Sequence, residues 1–186
     1  MTANQVTITP CATPSDLRIA RELFTEYAES LGIDLAFQHF EEELASLPGK
    51  YACPGGLMYL ALLGPQITQL QTSTRTVTIQ AIGCVALRPL SFSLPSESDT
   101  NSEAERVCEL KRLYVRPTAR GLGAGQLLLD AVIQRATEMG YERMVLDTLE
   151  GQHASAIRLY RSRGFVQVDA YYATPLSGTL FMGKKL

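Results

Sequence analysis

The hydrophobic and polar positions along the chain predict strands and helices in the order of a mixed α/β domain. Alternation over residues 6–9 predicts a first strand, and the next apolar positions predict a helix that starts at the capping residue Thr13 and stops at Gly32. A second helix is predicted over about 37–47. Apolar runs predict six further strands, over about 57–63, 77–87, 109–115, 143–148, 165–173 and 179–185.

Two polar connections interrupt this pattern. The segments at about 64–76 and 91–105 are rich in threonine or serine, so we expect them to be mobile loops. A chain of 186 residues with ordinary apolar content and no internal repeat suits one domain over residues 1–186.

A glycine-rich turn, Arg120-Gly121-Leu122-Gly123-Ala124-Gly125, joins the strand at 109–115 to a helix predicted from apolar spacing up to residue 139. Strand, glycine turn and helix together present backbone N–H groups and a positive helix end, which suit a phosphate. The turn is not a P-loop, because no Gly-Lys-Ser/Thr closes it. The element order argues against a dinucleotide-binding fold, because no repeated strand–helix units precede the turn.

Four segments in sequence order resemble the GNAT superfamily, whose members transfer an acetyl group from acetyl-coenzyme A to an amine. They are the strand Glu109 to Val115, the turn Arg120-x-x-Gly123-x-Gly125, the strand Met144 to Thr148, and Ala156-x-x-Leu159-Tyr160-x-x-x-Gly164-Phe165. The resemblance implies the α/β (α+β) GNAT fold. That fold has a mixed, mostly antiparallel central sheet of six to seven strands, flanked by about four helices.

The resemblance also implies acetyl-CoA as co-substrate and a set of residues that bind it. The backbone of Leu113, Tyr114 and Val115 would hold the acetyl-pantetheine end, with the Leu113 N–H as oxyanion donor. The diphosphate would lie on Arg120, Gly121, Leu122, Gly123, Ala124 and Gly125. His153 stands where many relatives carry an asparagine that contacts the pantetheine arm. It is therefore either a coenzyme contact or a surface residue at a helix start.

Two residues are candidates for proton transfer. Glu109 would be the general base, and strand alternation places it on one face with Lys111, Leu113 and Val115. The alternative is a structural ion pair between Glu109 and Lys111. The resemblance implies that Tyr160, on a helix predicted over 153–163, protonates the leaving thiolate and contacts the coenzyme; the alternative is a core residue.

Composition and charge narrow the function further. A formal net charge of −2 provides no basic field for nucleic acid, and no apolar run approaches the roughly 20 residues of a membrane span. Four cysteines without metal-ligand spacing suggest free thiols, and no signal peptide is visible, so we expect a cytoplasmic protein. No His/Cys cluster indicates a metal, and acetyl transfer to an amine requires none.

The sequence therefore predicts an N-acetyltransferase that acts on the primary amine of a small molecule by direct attack. A protein or peptide acceptor, and a non-catalytic acetyl-CoA-binding module, are the alternatives. The sequence does not identify the acceptor. The acidic run Glu41-Glu42-Glu43 on the second helix is interpreted as solvated helix surface rather than a cation site. Homodimers are frequent in the superfamily, and no residue here demonstrates one.

Overall fold

The computed structural model describes residues 4–33, 35–65, 79–90 and 105–186. Most of the two segments predicted as mobile, about 64–76 and 91–105, lies outside these residues. The strands are β1 (Asn4–Pro10), β2 (Leu57–Pro65), β3 (Gln80–Pro89), β4 (Val107–Val115), β5 (Arg143–Leu149), β6 (Val166–Gln167) and β7 (Thr179–Lys185). The α-helices are α1 (Pro14–Leu31), α2 (Phe40–Ser46), α3 (Ala124–Glu138) and α4 (Ala154–Ser162).

The seven strands form one sheet in the order β1-β2-β3-β4-β5-β7-β6. Every neighbouring pair is antiparallel except β4 and β5, which run parallel. This architecture confirms the predicted mixed, mostly antiparallel sheet flanked by helices. β4 and β5 pair only over Val107–Glu109 and Arg143–Val145, and beyond these residues the two strands diverge.

Helix α1 has the ends that the sequence predicts. The Thr13 hydroxyl accepts a hydrogen bond from the Asp16 N–H, and the Asp16 carboxylate accepts one from the Thr13 N–H, which forms a capping box. Gly32 ends the helix at a φ of 63°, a left-handed conformation that favours glycine. The second helix differs from its prediction. A 3₁₀ turn over Ala36–Gln38 comes first, and His39 at a φ of 55° separates it from α2.

The region after α4 also differs from its prediction. A strand is predicted over 165–173, but β6 contains only Val166 and Gln167. The Val168 N–H still donates to the Phe181 carbonyl at 3.0 Å, and beyond it the rings of Tyr171 and Tyr172 pack on Phe181 of β7, with centroids 5.1 and 5.2 Å away. These aromatic contacts replace further strand pairing.

Both faces of the sheet are buried. On one face, α3 and α4 cover a core that includes Leu110, Leu128 and Met144. On the other face, α1 covers a second core that includes Phe24 and Tyr114. The central strands of the sheet are therefore covered by helices on both sides.

A β-bulge in β4 overturns one expectation about facing residues. Pairing with β3 shifts between Cys84 and Ala86, so Arg112 and Leu113 together oppose one β3 residue, and Arg112 has a φ of 58°. Leu113 consequently packs in the same core as Leu110, which regular alternation forbids. The prediction that Glu109 shares a face with Leu113 and Val115 is therefore wrong, because the bulge reverses the alternation after Lys111.

Candidate active site

A cleft of about 520 Å³ opens where β4 and β5 diverge. Ten of the twelve residues predicted for the site line it: Leu113, Tyr114, Val115, Arg120, Gly121, Gly123, Ala124, Gly125, His153 and Tyr160. The other two, Glu109 and Leu122, do not. Leu122 is 51% exposed at the outside of the glycine turn, and Glu109 is fully buried.

The glycine turn has the backbone geometry of an anion site. Gly121 and Gly123 have φ angles of 85° and 79°, which residues with a Cβ rarely adopt. No side chain caps α3, and the first bond along the helix runs from the Leu127 N–H to the Gly123 carbonyl. The first N–H groups of α3 therefore lack intrahelical partners, and the residues that carry them, Ala124 to Gln126, line the cleft. This arrangement fits a diphosphate.

The strand edge beside the turn fits the arm of the same ligand. β4 pairs with β5 only as far as Glu109, so the later residues of β4 have no ladder partner in β5. Leu113, Tyr114 and Val115 belong to this edge and line the cleft. The Arg120 side chain points back towards the strand, where its Nε donates to the Val115 carbonyl at 3.3 Å. Arg120 thus keeps the turn close to the end of β4.

Tyr160 projects from α4 into the cleft. Its ring packs against Phe165 with centroids 5.7 Å apart, and its hydroxyl has no hydrogen-bond partner among residues 4–33, 35–65, 79–90 and 105–186. Burial raises the pKa of this hydroxyl, and the charges of Tyr27 and Asp147 raise it further. The phenol is therefore protonated at neutral pH and retains a proton to donate.

His153 immediately precedes α4 and lines the cleft. Its Nδ1 lies 3.0 Å from the Thr148 hydroxyl, and its ring lies 6.4 Å from that of Tyr27 between centroids. Burial, together with the nearby Arg120, lowers the pKa of His153, so its imidazole is mainly neutral at pH 7. The ring is thus oriented as a polar wall of the cleft.

Glu109 belongs to a group of buried and half-buried charged and tyrosine side chains that we call the Asp147 cluster: Arg88, Glu109, Lys111, Asp147, Tyr171 and Tyr172. One carboxylate oxygen of Glu109 accepts a hydrogen bond from Arg88 Nε at 2.6 Å. The other accepts one from the Tyr171 hydroxyl at 3.0 Å and lies 3.6 Å from Lys111 Nζ. Both oxygens are therefore occupied by these partners, beneath the surface of the cleft.

Asp147, which the sequence analysis did not select, is the acidic member of the Asp147 cluster that reaches the cleft. Its Oδ1 accepts a hydrogen bond from Lys111 Nζ at 2.9 Å, and Tyr172 also hydrogen-bonds to its carboxylate. Burial alone would raise its pKa, but Lys111 and Tyr172 outweigh burial and lower it. The only sequence signal was an acidic residue near the end of an apolar strand.

A second buried group, the Arg112 cluster, contains Glu43, Lys50, Tyr51 and Arg112. Arg112 is 4% exposed and donates two hydrogen bonds to the Glu43 carboxylate, from Nε at 2.8 Å and Nη2 at 3.1 Å. Lys50 Nζ and the Tyr51 hydroxyl also contact this carboxylate, at 2.6 and 2.9 Å. The interpretation of the acidic run as solvated surface holds for Glu41 and Glu42 but is wrong for Glu43.

Neither a metal site nor a membrane-spanning helix is found in the part of the chain that the structure describes. No cluster of three or more His, Cys, Asp or Glu side chains there has the arrangement of a metal site. No helix there is both long and apolar enough to cross a membrane.

Known proteins of one family match this chain in sequence. The sequence profile of the acetyltransferase (GNAT) family matches residues 73–165. An uncharacterized N-acetyltransferase of Schizosaccharomyces pombe is 37% identical over 98% of this chain and 96% of its own length.

Two solved structures share the fold. A GNAT-family acetyltransferase from Staphylococcus aureus has a TM-score of 0.65 at 19% identity, covering 97% of this chain and 98% of its own. Arabidopsis thaliana NAA60 in complex with acetyl-CoA has a TM-score of 0.61 at 16% identity, covering 98% of this chain and 99% of its own. The family match and the full-length relative show that this chain belongs to the GNAT family and is an acetyl-CoA-dependent acyltransferase.

Proposed function

We propose that the protein transfers the acetyl group of acetyl-CoA to the primary amine of a small molecule. The observation that carries this proposal is the single cleft in which the glycine turn, the free edge of β4 and Tyr160 meet. Bound there, acetyl-CoA supplies an activated thioester. The first N–H groups of α3 would hold its diphosphate, and the β4 edge at Leu113–Val115 would hold its acetyl end.

Two groups of the chain then donate to the atoms that gain negative charge, which are the thioester oxygen and the leaving sulfur. The amine loses a proton to bulk water, and its nitrogen attacks the thioester carbon. The Leu113 N–H stabilises the oxyanion of the tetrahedral intermediate. As the carbon–sulfur bond breaks, the Tyr160 hydroxyl protonates the departing thiolate and regains its proton from solvent. The attacking nitrogen loses its second proton to solvent as the intermediate collapses, so the products are an amide, a free thiol and one released proton.

In this proposal Glu109 is a positioning residue rather than the general base. Its two oxygens are already bonded to Arg88 and Tyr171, and it has no surface in the cleft. Within the described structure Arg88, Tyr171 and Lys111 surround its carboxylate, so an amine in the cleft has no direct contact with it. The structural ion pair therefore agrees with the geometry better than direct proton abstraction does.

The test is thiol release from acetyl-CoA in the presence of polyamines, amino acids, aminoglycosides, alkyl and aryl amines, or short peptides. We expect turnover with a small amine and binding of acetyl-CoA measurable by calorimetry. Turnover with peptides alone would contradict a small-molecule acceptor and favour a protein or peptide acceptor. Coenzyme binding without turnover on any acceptor would support the non-catalytic module instead.

Tyr160→Phe tests the acid assignment. The change removes one hydroxyl that has no hydrogen-bond partner in the described structure, so folding should be unaffected. We expect kcat to fall by about 10²-fold, a typical contribution of general acid catalysis, while the acetyl-CoA Kd stays within about twofold. Tyr59→Phe, outside the cleft, is the matched control and should leave kcat unchanged. An unchanged kcat in Tyr160→Phe would remove the assignment.

A further inference from the structure

We infer that Asp147 binds the ammonium group of the acceptor, and that the acceptor is a small alkylamine with an apolar body. This inference rests on the proposed amine acetylation and specifies its second substrate. It starts from the charges in the cleft. Among the described residues that line it, Lys111, Arg112 and Arg120 are cationic, and Asp147 is the one carboxylate.

The partners of these charges show which of them remains available to a ligand. Arg112 is neutralised by the bidentate Glu43 carboxylate. Lys111 is 8% exposed and lies between Glu109 and Asp147, so its charge is shared by two carboxylates. Asp147 keeps a side-chain exposure of 16% and stays ionised, because Lys111 and Tyr172 stabilise its charged form. A cationic ligand in the cleft therefore has one carboxylate to contact.

The position of Asp147 suits the reaction. Pairing between β4 and β5 ends at Glu109 and Val145, and Asp147 follows two residues later on β5. Asp147 thus stands where the strands have separated, opposite the β4 edge that carries Leu113. Burial is the main cause of the raised pKa values of the Tyr27 and Tyr160 hydroxyls, and the charge of Asp147 raises both further. An ammonium bound here would lie beside the proposed acid.

The remaining wall indicates what the rest of the acceptor is made of. Leu31, Ile33, Leu35 and Leu176 also line the cleft, and none of them belongs to the glycine turn. Gln38 lines the cleft as well, and its Oε1 is buried without a hydrogen-bond partner among the residues described. Such an oxygen is costly unless it accepts a bond, so it fits a second N–H of the acceptor. An amine with an apolar body satisfies both features.

Two isomeric amines separate charge recognition from shape. At pH 7 the alkylamine 2-phenylethylamine is a cation, whereas the aryl amine 4-ethylaniline is neutral. We expect Asp147→Asn to lower kcat/KM for 2-phenylethylamine about 30-fold, mainly through KM, as for the loss of a hydrogen bond to a charged group. For 4-ethylaniline, kcat/KM should change by no more than about threefold, with the acetyl-CoA Kd unchanged.

Two further variants control for side effects. Asp147→Glu keeps the charge and should retain most of the preference for the alkylamine. Asp130→Asn removes a carboxylate on the surface, where Asp130 pairs with Arg163 at 2.7 Å, and should alter neither amine's kinetics. Equal losses for both amines in Asp147→Asn, or no loss for either, would overturn the inference.

Calorimetry makes the inference independent of turnover. 2-Phenylethylamine is titrated into the wild type and Asp147→Asn, each saturated with coenzyme A, which carries no acetyl group to transfer. Binding to the wild type that weakens at least tenfold in Asp147→Asn supports the inference, even if no thiol release occurs and the proposed function fails. Absence of binding to the wild type, or equal binding to both proteins, would overturn it.

Discussion

The Arg112 cluster and the Asp147 cluster both depend on strand β4, and they differ in whether a carboxylate is left accessible. In the Arg112 cluster, Glu43 is surrounded by Arg112, Lys50 and Tyr51 and is 5% exposed. In the Asp147 cluster, Glu109 is equally enclosed, but Asp147 reaches the cleft. The comparison indicates two arrangements of buried charge: one fixes backbone geometry, and the other leaves a carboxylate at the surface of the cleft.

The Arg112 cluster explains an unusual backbone conformation. Arg112 has a φ of 58°, which is uncommon for residues other than glycine. Its guanidinium is held by Glu43 of α2 and lies 4.9 Å from the Phe40 ring centroid. These contacts hold the bulge that directs Leu113 to its side of the sheet. The bulge therefore depends on a partner outside the strand.

The largest effect is expected from breaking the Arg112 cluster. Arg112→Leu leaves the buried Glu43 carboxylate with Lys50 as its one cationic partner, so we expect the free energy of unfolding to fall by about 3–5 kcal/mol. Urea denaturation measures this loss. The double variant Glu43→Leu/Arg112→Leu removes both charges and should recover part of the stability.

The control for this prediction is an ion pair on the surface. Arg163→Leu breaks the pair with Asp130, whose side chain is half exposed, and should cost less than about 1 kcal/mol. Equal losses from Arg112→Leu and Arg163→Leu would show that the Arg112 cluster does not stabilise the fold as argued.

A smaller effect is expected in the Asp147 cluster. Glu109→Gln keeps the shape of the side chain but leaves Arg88 and Lys111 with less compensating charge, so we expect a loss of about 1–3 kcal/mol in unfolding free energy. If Glu109 positions its neighbours, kcat should fall by less than about tenfold. A fall of more than about 10²-fold with the fold intact would identify Glu109 as the general base.

The smallest effect concerns pH. Burial alone would raise the pKa of Glu43, but Arg112 and Lys50 lower it to about 2. A lowered pKa in the folded state stabilises the protein above the unfolded value of 4.5, and this contribution is lost as the pH falls towards 2. Between pH 5 and pH 4, wild type should lose about 0.7 kcal/mol more unfolding free energy than Glu43→Gln. Identical slopes in urea titrations would contradict this.

The features that the sequence predicted well depend on neighbours in the chain. Thr13 and Asp16 define the start of α1, and Gly32 its end, through contacts within one helical turn. The glycine turn is likewise local, because its left-handed residues are glycines, and glycines in the sequence predict that conformation. Such signals are complete within a few residues, so they can be read before the fold is known.

The features that the sequence missed depend on distant partners. Arg112 and Glu43 are 69 positions apart, and Lys111 and Asp147 are 36 apart. Nothing near Arg112 indicates a bulge, since the conformation is stabilised by a carboxylate on another element. For the same reason, alternation placed Glu109 on the wrong face relative to Leu113, and Asp147 was not recognised as part of the cleft.

The short parallel pairing between β4 and β5 has a mechanical consequence. Only three residue pairs join the panel β1-β2-β3-β4 to the panel β5-β7-β6 through the sheet. A ligand that contacts the β4 edge on one side and Asp147 on the other spans this seam. If both substrates bind as proposed, their binding free energy adds to the free energy needed to separate the two panels, so the occupied protein should open less at this seam than the empty one.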